Sequence, residues 1–360
     1  MSAYAARQQR LLDVLGARGL GALLVTQPAN VRYLTGYVGS NGVAVIGAGG
    51  RVLVTDSRYA VSATEQVHGA EVIIGKRDLL ATVAGSAIAA AAGGPIGVEA
   101  DDLTIARYER LRGMLEGAET ATTRGIVEEL RQIKDPGEVA AMREAAAVVD
   151  RALEAVVSAG LVGRTEREVA FALHGAMLAE GAQEPSFATI VASGPRGARP
   201  HHVPGPEPIP ADTLVVIDMG AVVDGYCSDM TRTFGTGSPP ARLTEIYGVC
   251  LEAQEAALAA AAPGMTGAEL DAVGRARIVA GGYGDAFGHG LGHGVGLVIH
   301  ESPGVRPESG DALLAGMAIT IEPGIYLEGE GGVRIEDLIV LGEDGSDVLS
   351  HSPKELRIVA

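Results

Sequence analysis

Two seven-residue stretches decide how the chain is read: Leu214-Val-Val-Ile-Asp-Met-Gly220 and Ala318-Ile-Thr-Ile-Glu-Pro-Gly324. Each is an apolar strand that ends in a carboxylate and a glycine turn. A charged group in a strand otherwise made of Val, Ile and Leu is buried, and a buried unpaired carboxylate is costly. One resolution for Asp218 or Glu322 is a structural ion pair with an arginine. A second strand follows each of these, carrying Asp229 in one case and Glu336 in the other. Four acids in matching positions point instead to cations, about two divalent ions for four negative charges.

Working outward, the surroundings of the two strands also repeat. Thr165-Glu-Arg-Glu168 is a capping box, the Ser/Thr-x-x-Glu pattern of a helix start, ahead of VAFALHGAMLAEG. About 100 residues later Thr266-Gly-Ala-Glu269 does the same ahead of LDAVGRARIVAGG, and Gly181 then falls on Gly282. A long Ala-rich amphipathic helix from Glu138, entered just after Pro136, precedes the first box, and another at about 243–262 precedes the second. Chance similarity between Ala/Gly-rich segments is the alternative. A duplicated half-domain is more economical, its copies facing each other across a pseudo-two-fold axis. That fold would be α+β and would gather the four carboxylates at one centre.

Residues 1–120 differ in character. Gly21–Thr26 reads as a buried strand, and Val43–Ile46 with Val52–Thr55 flank the glycine-rich turn 47–50 as a hairpin. Leu103–Leu115 has helical spacing. The small polar run Ala121–Gly125 reads as a linker, which divides the chain into a leading mixed α/β domain, 1–124, and a second domain, 128–360.

The 360 residues carry a formal charge of −17, which argues against nucleic acid or an anionic membrane as the main partner. No apolar run reaches the roughly 18 residues of a spanning helix, and the first residues lack a continuous apolar core of a signal peptide. The two cysteines, Cys227 and Cys250, are too few for a disulfide framework or a thiolate cage. A cytoplasmic enzyme is the expectation.

Five of the eight histidines fall between positions 201 and 300: His201, His202, His289, His293 and His300. Gly288-His-Gly-Leu-Gly-His-Gly-Val-Gly296 lets the backbone pass close to a ligand. A phosphate-cradling loop is the rival reading, but the segment lacks Lys, Ser and Thr and has no strand-turn-helix frame. Metal and catalytic histidines fit better. His68, His174, His351 and His202 are read as ordinary core or surface histidines. An oxygen-rich site with one imidazole suits Mn²⁺, Fe²⁺, Co²⁺ or Zn²⁺. Two such ions about 3.5–4 Å apart can turn a bridging water into a nucleophile near neutral pH, so metal-assisted amide hydrolysis is the expected reaction class. Nucleophilic Ser or Cys chemistry has little support, since no Gly-x-Ser-x-Gly elbow occurs and Cys227 abuts Asp229.

These residues resemble a known family. PHHVP at 200–204, VIDMG with DGYCSDMTRTF, GHGLGHGVGLVIHE, ITIEPGIY and GVRIED look like the pita-bread metallopeptidases, in the aminopeptidase P and prolidase branch. NVRYLTGYVGSNG, TDSRY and LRQIKDPGEVAAMREAA resemble segments of that branch's N-terminal domain and junction helix. The resemblance implies Asp218, Asp229, His293, Glu322 and Glu336 as ligands of two metal ions, Mn²⁺ foremost, with Asp229 and Glu336 bridging. It implies His300 as stabiliser of the tetrahedral intermediate, His201 on the substrate carbonyl, and His289 near the proline. Glu322 would also shuttle protons, and Arg334 would position substrate or ligands. A creatinase-like amidinohydrolase or a non-catalytic member would not need this complete ligand set. The implied substrates are proline-containing peptides, and the implied assembly is a homodimer. Some prolidases carry an arginine directly after the His-Glu-x-Pro segment, where this chain has Gly304, with Arg306 two residues on. That departure favours an Xaa-Pro aminopeptidase, with the Xaa-Pro dipeptidase as the alternative.

Overall fold

The computed structural model describes residues 2–115, 117–343 and 345–360, and they form two compact units, Met1–Arg131 and Gln132–Ala360.

The first unit alternates strands and helices: α1 (Ala3–Ala17), β1 (Ala22–Val25), α2 (Pro28–Thr35), β2 (Gly42–Gly47), β3 (Gly50–Asp56), α3 (Ala60–Gln66), β4 (Glu71–Gly75), α4 (Leu80–Ala91), β5 (Ile96–Glu99), α5 (Ile105–Met114), β6 (Thr120–Thr123) and α6 (Ile126–Gln132). The six strands form one sheet in the order β4-β3-β2-β1-β5-β6. β2 and β3 make the expected antiparallel hairpin across the glycine turn. The run read as a linker is not one. Thr120–Thr123 lies parallel to β5 as an edge strand, Ile96 opposite Thr120 and Glu99 opposite Thr123. β-branched threonines favour an extended strand even when polar, and a sheet edge leaves them half-exposed.

The second unit holds the repeat. Its first half comprises α7 (Pro136–Ser158), α8 (Glu166–Ala179), β7 (Glu184–Pro185), β8 (Ile190–Ser193), β9 (Thr213–Met219), β10 (Ala221–Val223), β11 (Tyr226–Cys227) and β12 (Met230–Thr236). Its second half comprises α9 (Ala241–Ala260), α10 (Gly267–Ala280), β13 (Gly292–Gly294), β14 (Glu301–Val305), β15 (Ala318–Ile321), β16 (Gly324–Leu327), β17 (Gly331–Arg334), β18 (Asp337–Gly342), β19 (Gly345–Val348) and β20 (Ile358–Val359). Its two larger sheets run β20-β12-β9-β8 and β14-β13-β15-β18-β19, beside the smaller β11-β10-β7 and β16-β17. β8-β9-β12 in the first half therefore answers β13-β15-β18 in the second, each series behind a helix pair. The architecture is the expected α+β, duplicated pita-bread fold preceded by a smaller mixed α/β domain.

Local chemistry explains the helix starts. Thr165 and Thr266 each accept the backbone N–H three residues on, while Glu168 and Glu269 reach back to the cap residue, so both capping boxes close. Asp135 and Glu138 form a third box ahead of Pro136 at the start of α7. On α7, Ala145, Val149, Ala152, Leu153 and Val156 recur at helical spacing and bury one stripe. Val149, Ala152, Leu153 and Val156 pack with Val169, Leu173, Val215, Ile217 and Phe234 in the core of the first half. Ile246, Cys250, Leu270, Ile278, Ile319, Ile321 and Ile339 fill the core of the second. β9 is buried along its whole length, which is why it reads as a continuous apolar run rather than an alternation. Among the described residues, no helix is long and apolar enough to cross a membrane.

Candidate metal centre

Asp218 lies near the end of β9, directly opposite Thr231 of β12. Asp229 and Glu336 were expected within strands, but each sits one residue ahead of one, before β12 and β18 respectively. Glu322 follows the last residue of β15. A carboxylate just outside a strand is not bound by the ladder's alternation of faces.

The glycine-rich segment has a packing explanation. β13 threads between β14 and β15. A Cβ on Gly292 would run into the Thr320 carbonyl oxygen, and one on Gly294 into that of Ser302. Only glycine lets three backbones approach so closely on either side of His293.

Asp229, His293 and Glu336 form a ligand group, offering atoms that all lie within 4.8 Å of one another. His293 Nε2 lies 3.6 Å from Asp229 Oδ2 and 3.3 Å from Glu322 Oε1. Its other nitrogen, Nδ1, donates to the Gly294 carbonyl at 3.0 Å, so Nε2 presents its lone pair to the acids. Burial holds the His293 pKa below its ordinary value and keeps the ring in the neutral, ligating form. Asp218 is held differently: Arg334 Nη2 donates to its Oδ2 at 2.5 Å.

Electrostatics mark the centre as short of positive charge. Burial first, then repulsion from Glu336, Asp218 and Glu322, pushes the Asp229 pKa well above the carboxylate range. Burial, then Glu322 and Asp218, does the same to Glu336. Glu322 is pushed up to about 7, chiefly by burial. Arg334 meets one of these four carboxylates, that of Asp218; burial pulls its own pKa down, but Tyr326, Asp218, Glu322 and Glu336 together hold it well above the usual value.

Two buried carboxylate oxygens, Asp218 Oδ1 and Glu336 Oε1, have no hydrogen-bond partner. An orphaned buried anion of this kind is expensive unless a cation meets it. The donor set, carboxylate oxygens with one imidazole, fits hard or borderline divalent ions.

Side chains with no assigned role hold these groups in place. Thr231 Oγ1 donates to Glu336 Oε2 at 2.7 Å and accepts from Arg334 Nε at 3.0 Å. Thr320 Oγ1 donates to Glu322 Oε1 at 3.1 Å and accepts the His293 N–H at 3.1 Å. Tyr326 accepts from Arg334 Nη1 at 3.0 Å and lies 2.8 Å from His289 Nε2. His289 Nδ1 donates to the Gly290 carbonyl at 2.7 Å, which leaves Nε2 to accept the tyrosine proton. Burial drives the His289 pKa to about 4, so the ring stays neutral and both its nitrogens are occupied within the protein. His300 lies edge-on to His293 with ring centroids 4.4 Å apart, and burial lowers its pKa. His201 is exposed, yet it is close enough to His289, His300 and Glu322 to bear on their protonation. His202 is half-buried and has a partner: its Nε2 lies 2.8 Å from Glu166 Oε2. Thr231 and Tyr326 lie inside the TRTF and EPGIY segments, where a hydroxyl beside the ligand positions was the available signal.

Residues 140–343 match metallopeptidase family M24, and residues 7–133 match the creatinase/prolidase N-terminal domain. The chain belongs to metallopeptidase family M24. As an M24 peptidase it is a metal-dependent hydrolase. An Xaa-Pro dipeptidase of Pyrococcus furiosus is 36% identical over 352 residues, 97% of this chain and 99% of the relative. The solved structure of an Xaa-Pro dipeptidase from Bacillus anthracis superposes with a TM-score of 0.95 at 39% identity, covering 99% of this chain and all of that one. The crystal structure of an X-Pro aminopeptidase from Thermotoga maritima superposes at 0.91 with 34% identity, covering 98% and 100%. This M24 chain is thus similar along nearly its whole length to relatives of both specificities.

Proposed function

We propose that this chain is a two-metal Xaa-Pro dipeptidase, with residues 128–360 carrying the chemistry and residues 1–124 forming the leading domain. The observation that carries the reading is the buried pair Asp229 and Glu336 grouped with His293, with Glu322 3.3 Å from His293 and with orphaned buried oxygens on Asp218 and Glu336. The similarity over nearly the whole chain to Xaa-Pro dipeptidases supports the dipeptidase over the aminopeptidase that Gly304 suggested.

Asp218, Asp229, His293, Glu322 and Glu336 would hold the ions, with Mn²⁺ the best match to an oxygen-rich set. When bound, the ions supply the Lewis acidity that activates water and polarises the scissile amide near neutral pH. Glu322 takes the proton of the attacking water and passes it to the proline nitrogen, which must leave as an amine. His201 and His300 donate to the oxygen that gains negative charge as the carbonyl becomes tetrahedral. Arg334 orients Asp218, and His289, locked by Tyr326, forms a neutral wall on the proline side. Only two cysteines in 360 residues, both buried, suit a cytoplasmic setting better than a disulfide-rich one.

The test runs an Xaa-Pro dipeptide and an Xaa-Pro-Yaa tripeptide in parallel on Mn²⁺-loaded protein. The dipeptide is turned over and the tripeptide is left intact. The similarity to the Thermotoga maritima X-Pro aminopeptidase favours one second reading, an aminopeptidase, and comparable tripeptide turnover would select it.

A further inference from the structure

Glu166 opens α8 directly after its cap residue and is fully buried. Five donors converge on its carboxylate. Ser193 N at 2.8 Å, Ser193 Oγ at 2.9 Å and Arg196 Nε at 2.8 Å reach Oε1. His202 Nε2 at 2.8 Å and the Gly205 N–H at 3.3 Å reach Oε2. All five belong to one connection, the segment 193–205 that leaves β8 before β9 begins. The start of α8 grips the same segment through its backbone, since Arg167 N–H donates to the Gly205 carbonyl at 3.1 Å.

His201 lies between these anchors, and its neighbours in the chain are tied on opposite sides. Before it, the Pro200 carbonyl accepts from Arg334 Nη1 at 3.4 Å. After it, the His202 ring, with only 8% of its side chain exposed, is plugged into Glu166. Stability alone does not require a histidine there, because Arg196 already neutralises the carboxylate. A short, stiff ring reaching from the backbone to a buried carboxylate limits the movement of the adjacent residue, whereas a long flexible side chain would not.

We propose that Glu166 and His202 are positioning residues that hold the exposed His201 over the metal centre. The proposal rests on the reading of His201 as a substrate-contacting group, and the experiment separates the two. Metal-loaded wild type, H201A, H202L, H202Q and the H201A/H202L double variant are compared for kcat and KM on an Xaa-Pro dipeptide, with bound metal and Tm measured on each. A misplaced catalytic group costs about 10-fold or more. H202L is therefore expected to lose about 10-fold in kcat/KM while bound metal and Tm stay near wild type. H202Q, which keeps an N–H donor but not the stiff ring, should recover part of the loss and stay below wild type. In the H201A background H202L should cost nothing further, because the group it positions has gone. Losses that multiply in the double variant, an H202L enzyme equal to wild type, or an H202L protein that does not fold would each overturn the proposal, the last by assigning the pair to stability alone. An H201A enzyme with undiminished turnover would instead remove the reading of His201 beneath it.

Discussion

Arg334 Nη2 and Asp218 Oδ2 meet at 2.5 Å across 116 residues of sequence, while Asp218 Oδ1 is buried with no partner. The same guanidinium also donates to Thr231 and Tyr326, so one planar fork fixes a strand, a hairpin and a carboxylate at once. The pair engages one oxygen of Asp218 and leaves the other buried without a partner.

Arg334→Lys keeps the charge but cannot make the three directed contacts. Losing an outer partner of a ligand typically costs 10–100-fold in metal affinity or activity, and a loss of about that size is expected here. Mn²⁺ titration of the metal-free protein, followed by kinetics at saturating metal, separates the two effects. An R334K enzyme with wild-type affinity and kcat/KM would show that the fork is dispensable.

Exhaustive chelation should abolish hydrolysis and lower the Tm of the unit that holds the acids, because four clustered carboxylates then repel one another. Restored Mn²⁺ at a free concentration 100 times its Kd should return about 2.7 kcal/mol of stability by mass action. Calorimetry of chelated and reloaded protein measures this, and turnover unchanged by chelation would count heavily against a metal-dependent centre.

Glu322→Gln removes the proton carrier while preserving shape. Turnover should fall at least about 100-fold, the usual scale for losing a general acid–base. Dipeptide protection against thermal unfolding should persist, which distinguishes lost chemistry from lost binding.

In the first unit, burial pushes Glu99 up to about 7, against hydrogen bonds from the Gln27 and Thr26 N–H groups and Asn30 Nδ2 that favour the charged form. The folded state therefore binds the proton more tightly than the unfolded chain, whose glutamate titrates at its ordinary value of 4.5. The unit's stability is greatest at low pH with respect to this group and falls as pH rises from about 4.5 through 7, by at most about 3 kcal/mol. Urea midpoints at pH 5 and pH 8 should differ for wild type and converge in Glu99→Gln. A wild-type midpoint that rose with pH would contradict the sign.

Thr266→Ala opens the second capping box by removing the acceptor of the Glu269 N–H. It should cost about 1 kcal/mol, as should Thr165→Ala at the equivalent helix. Denaturant melts read both, and equal losses would reflect the shared local geometry.

Much of the centre was legible because its signals are local. A carboxylate ending an apolar strand, a capping box and histidines among glycines are each defined by a few consecutive residues, and their recurrence about 100 residues apart identified the duplication. The errors were also local. Ala121–Gly125 reads as a linker, yet most of it belongs to the strand Thr120–Thr123, because small polar residues mark loops as readily as edge strands; Asp229 and Glu336 read as strand residues, yet their strands begin one residue later.

The sequence by itself determined which residues are candidates for the chemistry and that they come in two matching sets, since composition and spacing are properties of neighbours along the chain. Only the tertiary structure decided what each one touches: Asp218 with Arg334, Glu336 with Thr231, His289 with Tyr326, His202 with Glu166. Those partners lie from 36 to 116 residues apart. Their meeting depends on the register of β9 against β12 and the threading of β13 between its neighbours, which arise when buried apolar surfaces pack together and leave no trace in any short stretch of sequence.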